Sequence, residues 1–433
     1  MEKMDKSKNK IGLWSAVGIG VGAMIGAGIF ALMGQAGAIA GKAVYISFIA
    51  GGIVAAISGY SLAKLGARFP AAGGIVEYVV QAFGVNVFSG GVSVLLYLSS
   101  ILALSLLAKA FGSYAAALFN LKGSLIYTNI FALAIMAILG TIQFFGVKKV
   151  VKFQNVAVII TLVILVAFAT VGLIYVKPEL MAPALYPSSD KILFSIAITF
   201  FSYEGFRIIT HTAEDIVNPE KNLSRAIFIS IGITMVIYTA LAFAVFGNLE
   251  VDKVIEAKNY ALAEASKPIF GALGFTIISI TALFATSSSI NAVLYATTNI
   301  SYQMAKDGQL PGFFAKKLGY SREGLLVSLV ITALLIIFLD LLQIAAVGSI
   351  TVLFIHTVTH LGHLKIIHQT KASKFLVGTA LLTTLTVIVL FLIYSIKGSY
   401  TILFLFVGIL ALSFLIELMI RLLINRKVAK SNP

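Results

Sequence analysis

The chain has 433 residues, 59% of them hydrophobic and 11% charged, with no cysteine and a formal net charge of +15. A soluble domain carries about 25% charged residues, so a water-facing globular surface is excluded, and without cysteine there are no disulfides, thiolate metal sites or cysteine nucleophile. The positive charge does not point to nucleic acid, because lysines and arginines punctuate apolar spans instead of clustering on one face.

Crossing the hydrocarbon core of a bilayer takes about 20 apolar residues. Met1 to Lys10 is polar and basic, and the apolar run behind it is too long for a cleaved signal. The spans that follow are helix 1 at 14–41, helix 2 at 44–67, helix 3 at 87–118, helix 4 at 125–146, helix 5 at 150–176 and helix 6 at 192–215. Helices 7 to 12 follow at 223–247, 270–304, 325–342, 344–367, 374–396 and 400–424. An all-α polytopic membrane protein with twelve transmembrane helices is expected. Phe69-Pro70-Ala71-Ala72-Gly73-Gly74 blurs the approach to helix 3, and only Gln343 separates helices 9 and 10. Lys64, Arg68, Lys148, Lys149, Lys221, Arg225, Lys316, Lys317, Lys365 and Lys371 all fall in loops or at span ends on the side of the basic N-terminus. The bias places both termini in the cytoplasm and the chain in the cytoplasmic membrane. The longest external loop carries Glu250, Asp252, Glu256 and a short helical pattern at 260–267.

Inside lipid every backbone N–H and C=O must find a partner within the protein, so a helix broken there marks a place where a ligand can bind. Helix 1 reads Gly18-Ile-Gly20-Val-Gly22-Ala-Met24-Ile-Gly26-Ala27-Gly28-Ile-Phe30. Gly18, Gly22 and Gly26 lie four apart and suit close helix packing. Gly20 and Gly28 fall off that face, and glycines flanking Ala27 weaken the helix by about 1 kcal/mol each. Packing and a break near Gly26-Ala27-Gly28 therefore both remain open.

Helix 6 reads Phe200-Phe201-Ser202-Tyr203-Glu204-Gly205-Phe206-Arg207. Intramembrane charge is expensive, so Glu204 and Arg207 face a cavity or each other, and their i, i+3 spacing lets them pair. Either they lock the helix as a neutralised pair, or Glu204 meets a substrate amine or a coupling proton. Interrupted helices at the first and sixth positions suit two five-helix inverted repeats.

At this point the residues resemble the amino acid–polyamine–organocation superfamily. The resemblance is carried by Gly22-Ala-Met-Ile-Gly-Ala-Gly-Ile-Phe30, Phe69-Pro-x-x-Gly-Gly74, Phe200-Phe-Ser-Tyr-x-Gly205, Ala213-Glu-Asp-x-x-Asn-Pro219 and Met304-Ala-Lys-Asp-Gly-x-Leu-Pro311. The likeness is greatest to its archaeal broad-specificity, proton-coupled amino acid transporters. It implies a LeuT-type 5+5 inverted repeat with broken helices 1 and 6. The first repeat would run 14–176 and the second 192–367, with peripheral helices at 374–424 and cytoplasmic tails at 1–13 and 425–433. It also implies that the amides of Ala27 and Gly28 take a substrate carboxylate, and that carbonyls of Met24, Phe201 and Glu204 take the amino group. Gly26 and Gly205 belong to the same segments, Ser202 and Tyr203 flank the pocket, and Phe201 is a candidate gate.

This sequence departs from the pattern twice. The lysine that stands in for sodium in helix 5 of the proton-coupled members is here Thr161. A hydroxyl there, with Gly22 and with Ser287 and Ser288 of helix 8, suits a hard cation, or the serines bond only to their own helix backbone. Glu204 occupies a position that is usually apolar in the family.

His356, His360 and His363 repeat at i, i+4, i+7 on helix 10 and share a face. They line the cytoplasmic path, act as a pH-sensitive gate, or form a satisfied polar face; Arg207 is a further gating candidate. A metal is not expected, since the stripe lacks a carboxylate. Glu417 and Arg421, four apart on helix 12, suit a subunit contact. The expectation is a secondary active transporter of amino acids working by alternating access. Its partners are a small-molecule substrate and the bilayer, with no cofactor beyond a coupling proton or sodium ion. A polyamine transporter, an exchanger, a channel and a membrane metalloenzyme are the alternatives, and the sequence does not specify the oligomeric state.

Overall fold

The computed structural model describes residues 11–71, 73–145, 150–306, 308–398 and 400–424. The expected tails, apart from residues 11–13, lie outside these residues, as do Lys148 and Lys149. The described chain is an all-α polytopic membrane protein. Nine of its helices are long and apolar enough to cross a bilayer, and three shorter apolar helices accompany them, Leu13–Met24, Val158–Ile174 and Gly324–Phe338.

Helix 1 runs from Leu13–Met24 through a π-helical turn, Ile25–Ile29, into Phe30–Ala40. Its backbone stays helical at Met24, Ile25, Ile29 and Phe30. It ends at Gly41, whose φ of +52° no β-carbon-bearing residue adopts readily. Helix 2 is Val44–Arg68, and an amphipathic helix, Ile75–Phe83, follows before helix 3, Val87–Leu118. That connector helix was not expected as a separate element, because its nine residues are too short to span. Asn86 starts helix 3 with a capping box to Ser89.

Helix 4 is Leu125–Phe145, helix 5 is Val150–Ile174 and helix 7 is Pro219–Phe246. Helix 8 lies within Ala261–Lys306, and Gly271, at φ +63°, separates it from the short helical stretch expected at 260–267. The boundary between helices 9 and 10 is not Gln343. Helix 9 ends at Phe338, and helix 10, Leu341–Lys365, opens on Asp340, whose carboxylate accepts from the Gln343 amide at 2.8 Å. A capping box defines a helix start more sharply than one amide residue in an apolar run can end one. Helix 11 is Lys374–Gly398 and helix 12 is Tyr400–Ile424.

Helix 3 packs along helices 4, 8, 10 and 12, and helix 2 packs along helices 6 and 7, so both sit centrally. Glu417 of helix 12 is buried, its carboxylate lies against Gly90 of helix 3, and Arg421 pairs with it at 2.6 Å. The pair thus faces inward onto helix 3, not outward as a subunit contact. Its position follows from Gly90, where the missing side chain makes room for a carboxylate.

Candidate substrate and coupling site

Helix 6 consists of Ser189–Ser202, a 3₁₀ turn at Glu204–Phe206 and a last helical turn at Arg207–His211. Its interruption is therefore present at the expected residues. It lies against the π turn of helix 1. A methyl on Gly205 would come within 2.5 Å of the Met24 amide nitrogen and 2.6 Å of the Ala23 carbonyl carbon. A methyl on Gly28 would collide with the Ser202 carbonyl and the Tyr238 hydroxyl. Two glycines, one from each helix, thus let the irregular backbones touch.

The expected break in helix 1 is a widened turn, not an unwound segment, and no second half-helix starts at Gly28. A π turn absorbs one extra residue while keeping most backbone bonds, which satisfies buried amides without a ligand. The Met24 carbonyl instead receives the hydroxyl of Tyr238 at 2.6 Å. Tyr238, on helix 7, also reaches the Ser202 carbonyl at 3.3 Å. It ties the two irregular segments together, and sequence reading missed it because a lone tyrosine in an apolar span carries no periodic signal.

Of the remaining pocket residues, Tyr203 is buried and donates to the Phe48 carbonyl at 2.9 Å, and Ser202 donates to the Thr199 carbonyl. Phe201 is buried with its ring against Gly348 of helix 10. For the coupling ion, Gly22 lies against Val158 of helix 5, and Thr161, one turn further along that face, is buried. On helix 8, Ser289, next to the expected Ser287 and Ser288, has its hydroxyl set against Gly26 of helix 1 beside the Ala285 carbonyl. Ser287 and Ser288 are half-buried. Helical phase turns consecutive serines to different neighbours, which sets Ser289 on the side of Gly26.

Glu204 and Arg207 do pair, Oε1 to Nε at 2.6 Å, with side-chain exposures of 11% and 12%. The second carboxylate oxygen faces Nε2 of His356 at 3.3 Å. This contact lacks hydrogen-bond alignment, and neither atom hydrogen-bonds to any described residue. The stripe on helix 10 thus begins at helix 6. His356 Nδ1 and His360 Nε2 both bond Ser58 Oγ, at 2.6 and 2.8 Å. His360 Nδ1 and His363 Nδ1 both bond Ser61 Oγ, at 2.9 and 2.8 Å, and His363 Nε2 bonds Thr370 Oγ1 at 2.8 Å. The two serines belong to helix 2. Sequence reading missed them, because two hydroxyls in an apolar span do not reveal which helix they face.

The N-terminal side is fastened by a short bridge. The Ile11 amide donates to the Asp215 carbonyl at 2.7 Å, and the Val217 amide to the Ile11 carbonyl at 3.0 Å. At the far end, Gln35 of helix 1 donates to Asn259 at 2.7 Å, and Gly34 lies against the Lys258 carbonyl. Among the described residues no group of histidines and carboxylates could hold a metal ion.

A family model described as amino acid permease matches residues 11–432. An uncharacterized protein of Methanocaldococcus jannaschii is 38% identical over 429 residues, covering 99% of this chain and 98% of that protein. The inner membrane transport protein YbaT of Escherichia coli is 33% identical over 418 residues, covering 95% and 96%. The methylthioribose transporter of Bacillus subtilis is 30% identical over 320 residues, covering 69% and 67%.

Proposed function

The chain belongs to the amino acid permease family, whose members are membrane transporters and not enzymes, and from that premise we propose that it carries amino acids across the membrane by alternating access. The observation that carries the reading is the contact between the π turn of helix 1 and the 3₁₀ turn of helix 6 at Gly28 and Gly205. Both segments hold backbone groups that a ligand can claim when the helices part. On this reading the π turn is the closed form of the site. Substrate opens it, its carboxylate taking the amides of Ala27 and Gly28 and its amino group displacing Tyr238 from the Met24 carbonyl.

The fold we assign is the LeuT-type 5+5 repeat with twelve membrane helices, helices 11 and 12 being peripheral. The lysine and arginine bias supports cytoplasmic termini. Because relatives include one named for methylthioribose, the residues lining the site set the substrate, and family membership does not. Transport is ion-coupled in this reading, and Thr161 and Ser289 flanking helix 1 offer oxygens for sodium as readily as Glu204 offers a base for a proton.

Two measurements test this. A thermal-shift panel of amino acids and polyamines on purified protein should find stabilising amino acids. Uptake into proteoliposomes under an imposed pH or sodium gradient, one at a time, should show accumulation with one of them. No shift with any compound would remove the substrate class, and exchange without gradient-driven accumulation would make the protein an antiporter.

A further inference from the structure

The hydrogen bonds of the histidine row assign a proton to every link and leave one further place for a proton at its inner end. Thr370 Oγ1 donates to the Ile367 carbonyl at 3.0 Å, so it accepts from His363 Nε2–H. His363 Nδ1 is then an acceptor, and Ser61 donates to it. Ser61 therefore accepts from His360 Nδ1–H, His360 Nε2 accepts from Ser58, and Ser58 accepts from His356 Nδ1–H. Each of these five links holds one proton. His356 Nε2 lies outside these links and faces a carboxylate oxygen of Glu204 across 3.3 Å. Arg207 occupies the other oxygen of that carboxylate. Without a proton the two atoms are buried acceptors facing each other, which costs free energy, and with one they form a charge-assisted contact, so this is where the row gains or loses a proton.

We propose that the gap between Glu204 and His356 is a proton-loading site, and that the row from His356 through Ser58, His360, Ser61 and His363 to Thr370 conducts that proton between the helix 6 turn and the N-terminal side. The proposal rests on the transporter reading above and supplies its coupling ion. The row covers about 10 Å along helix 10, from the rise per residue between His356 and His363. Thr370 is 6% exposed and sits between Gln369 and Lys371, which are exposed, so the row ends at the edge of the protein next to water. The charged and titratable groups facing its inner end are Glu204, Arg207 and His211 of helix 6. Helix 2 contributes the hydroxyls of Ser58 and Ser61, and the rings of Phe200 and Phe206 stand edge-on to His356.

The proton balance is simple. A proton entering the gap binds His356 Nε2, and the Nδ1 proton passes to Ser58 as the Ser58 proton passes to His360 Nε2. The Nδ1 proton of His360 passes to Ser61, and that of Ser61 to His363 Nδ1. The Nε2 proton of His363 then passes to Thr370, which releases one to water. One proton enters and one leaves, and only N–H and O–H bonds change. Ring flips and hydroxyl rotation reset the links.

The test uses full-length protein in proteoliposomes with a trapped pH-sensitive dye, and radiolabelled L-alanine, L-serine, L-leucine and L-lysine as probes. Wild-type protein should acidify the lumen as substrate enters, and a pH gradient should drive accumulation. Ser58→Ala and Ser61→Ala each remove one oxygen from the row. Both should keep substrate exchange within about twofold of wild type while proton entry and gradient-driven accumulation fall about tenfold or more. His360→Gln should behave the same way. Wild-type accumulation in both serine variants would overturn the proposal, as would wild-type exchange without any proton movement. Loss of exchange together with accumulation in both would also overturn it, by making the serines structural. If wild-type protein exchanges none of the four probes, the amino acid reading fails instead.

Discussion

Removing the Glu204 carboxylate leaves the Arg207 guanidinium buried with no counter-charge. The pair is in contact at 2.6 Å and each side chain is close to nine-tenths covered, so water cannot take over the role. His356 cannot compensate, since it carries no negative charge in any state. Breaking a buried pair from one side costs about 3–5 kcal/mol, and the small residual exposure places Glu204→Gln near the lower bound. Arg207→Gln should cost a similar amount by stranding the carboxylate. The double variant Glu204→Gln, Arg207→Gln should recover most of the loss, so that the two single losses are far from additive. Unfolding midpoints of the four purified proteins in one detergent measure the cycle. Single variants as stable as wild type, or additive losses in the double variant, would refute the reading of Glu204 and Arg207 as a buried ion pair. If the double variant regains stability yet shows no gradient-driven uptake, the carboxylate serves transport as well as the fold.

Gly205→Ala should abolish transport, because its β-carbon would meet the helix 1 backbone at Met24 and Ala23, which cannot yield as a side chain can; wild-type uptake would dismiss the helix 1–helix 6 contact as part of the cycle. Tyr238→Phe strips the donor from the Met24 carbonyl and should raise the free energy of the closed form by about 1 kcal/mol. Apparent affinity for a stabilising amino acid should then tighten about fivefold if substrate opens that turn, and titration calorimetry showing weaker binding would contradict it. Val217→Pro deletes the amide that holds Ile11. Because the chain has no cysteine, a single Ser289→Cys reporter should label faster from the N-terminal side in that background; equal labelling would mean that the bridge does not guard the path.

Much of the architecture was legible because lipid permits few solutions. A helix satisfies its own backbone, so apolar length alone located nearly every span, and Gly205 beside Glu204 marked the turn in helix 6. The errors share one cause, which is that a break and a boundary depend on what satisfies the backbone there. Asp340, not Gln343, starts helix 10 because its carboxylate reaches an amide three residues on. The glycines of helix 1 permit an unwound segment or a π turn, and the hydroxyl of Tyr238, contributed by another helix, accompanies the second.

The sequence by itself determined that this is a multi-pass membrane protein of one transporter family, that charge sits inside helix 6, and that three histidines share a face of helix 10. Those facts are local, set by composition and helical period. Only the tertiary structure decided that Glu204 meets both Arg207 and His356, that Ser58 and Ser61 complete the row, and that Ser289 is the serine of helix 8 set against Gly26. Each of these depends on how two distant helices are rotated about their own axes, and a helix read alone fixes its faces but not its neighbours.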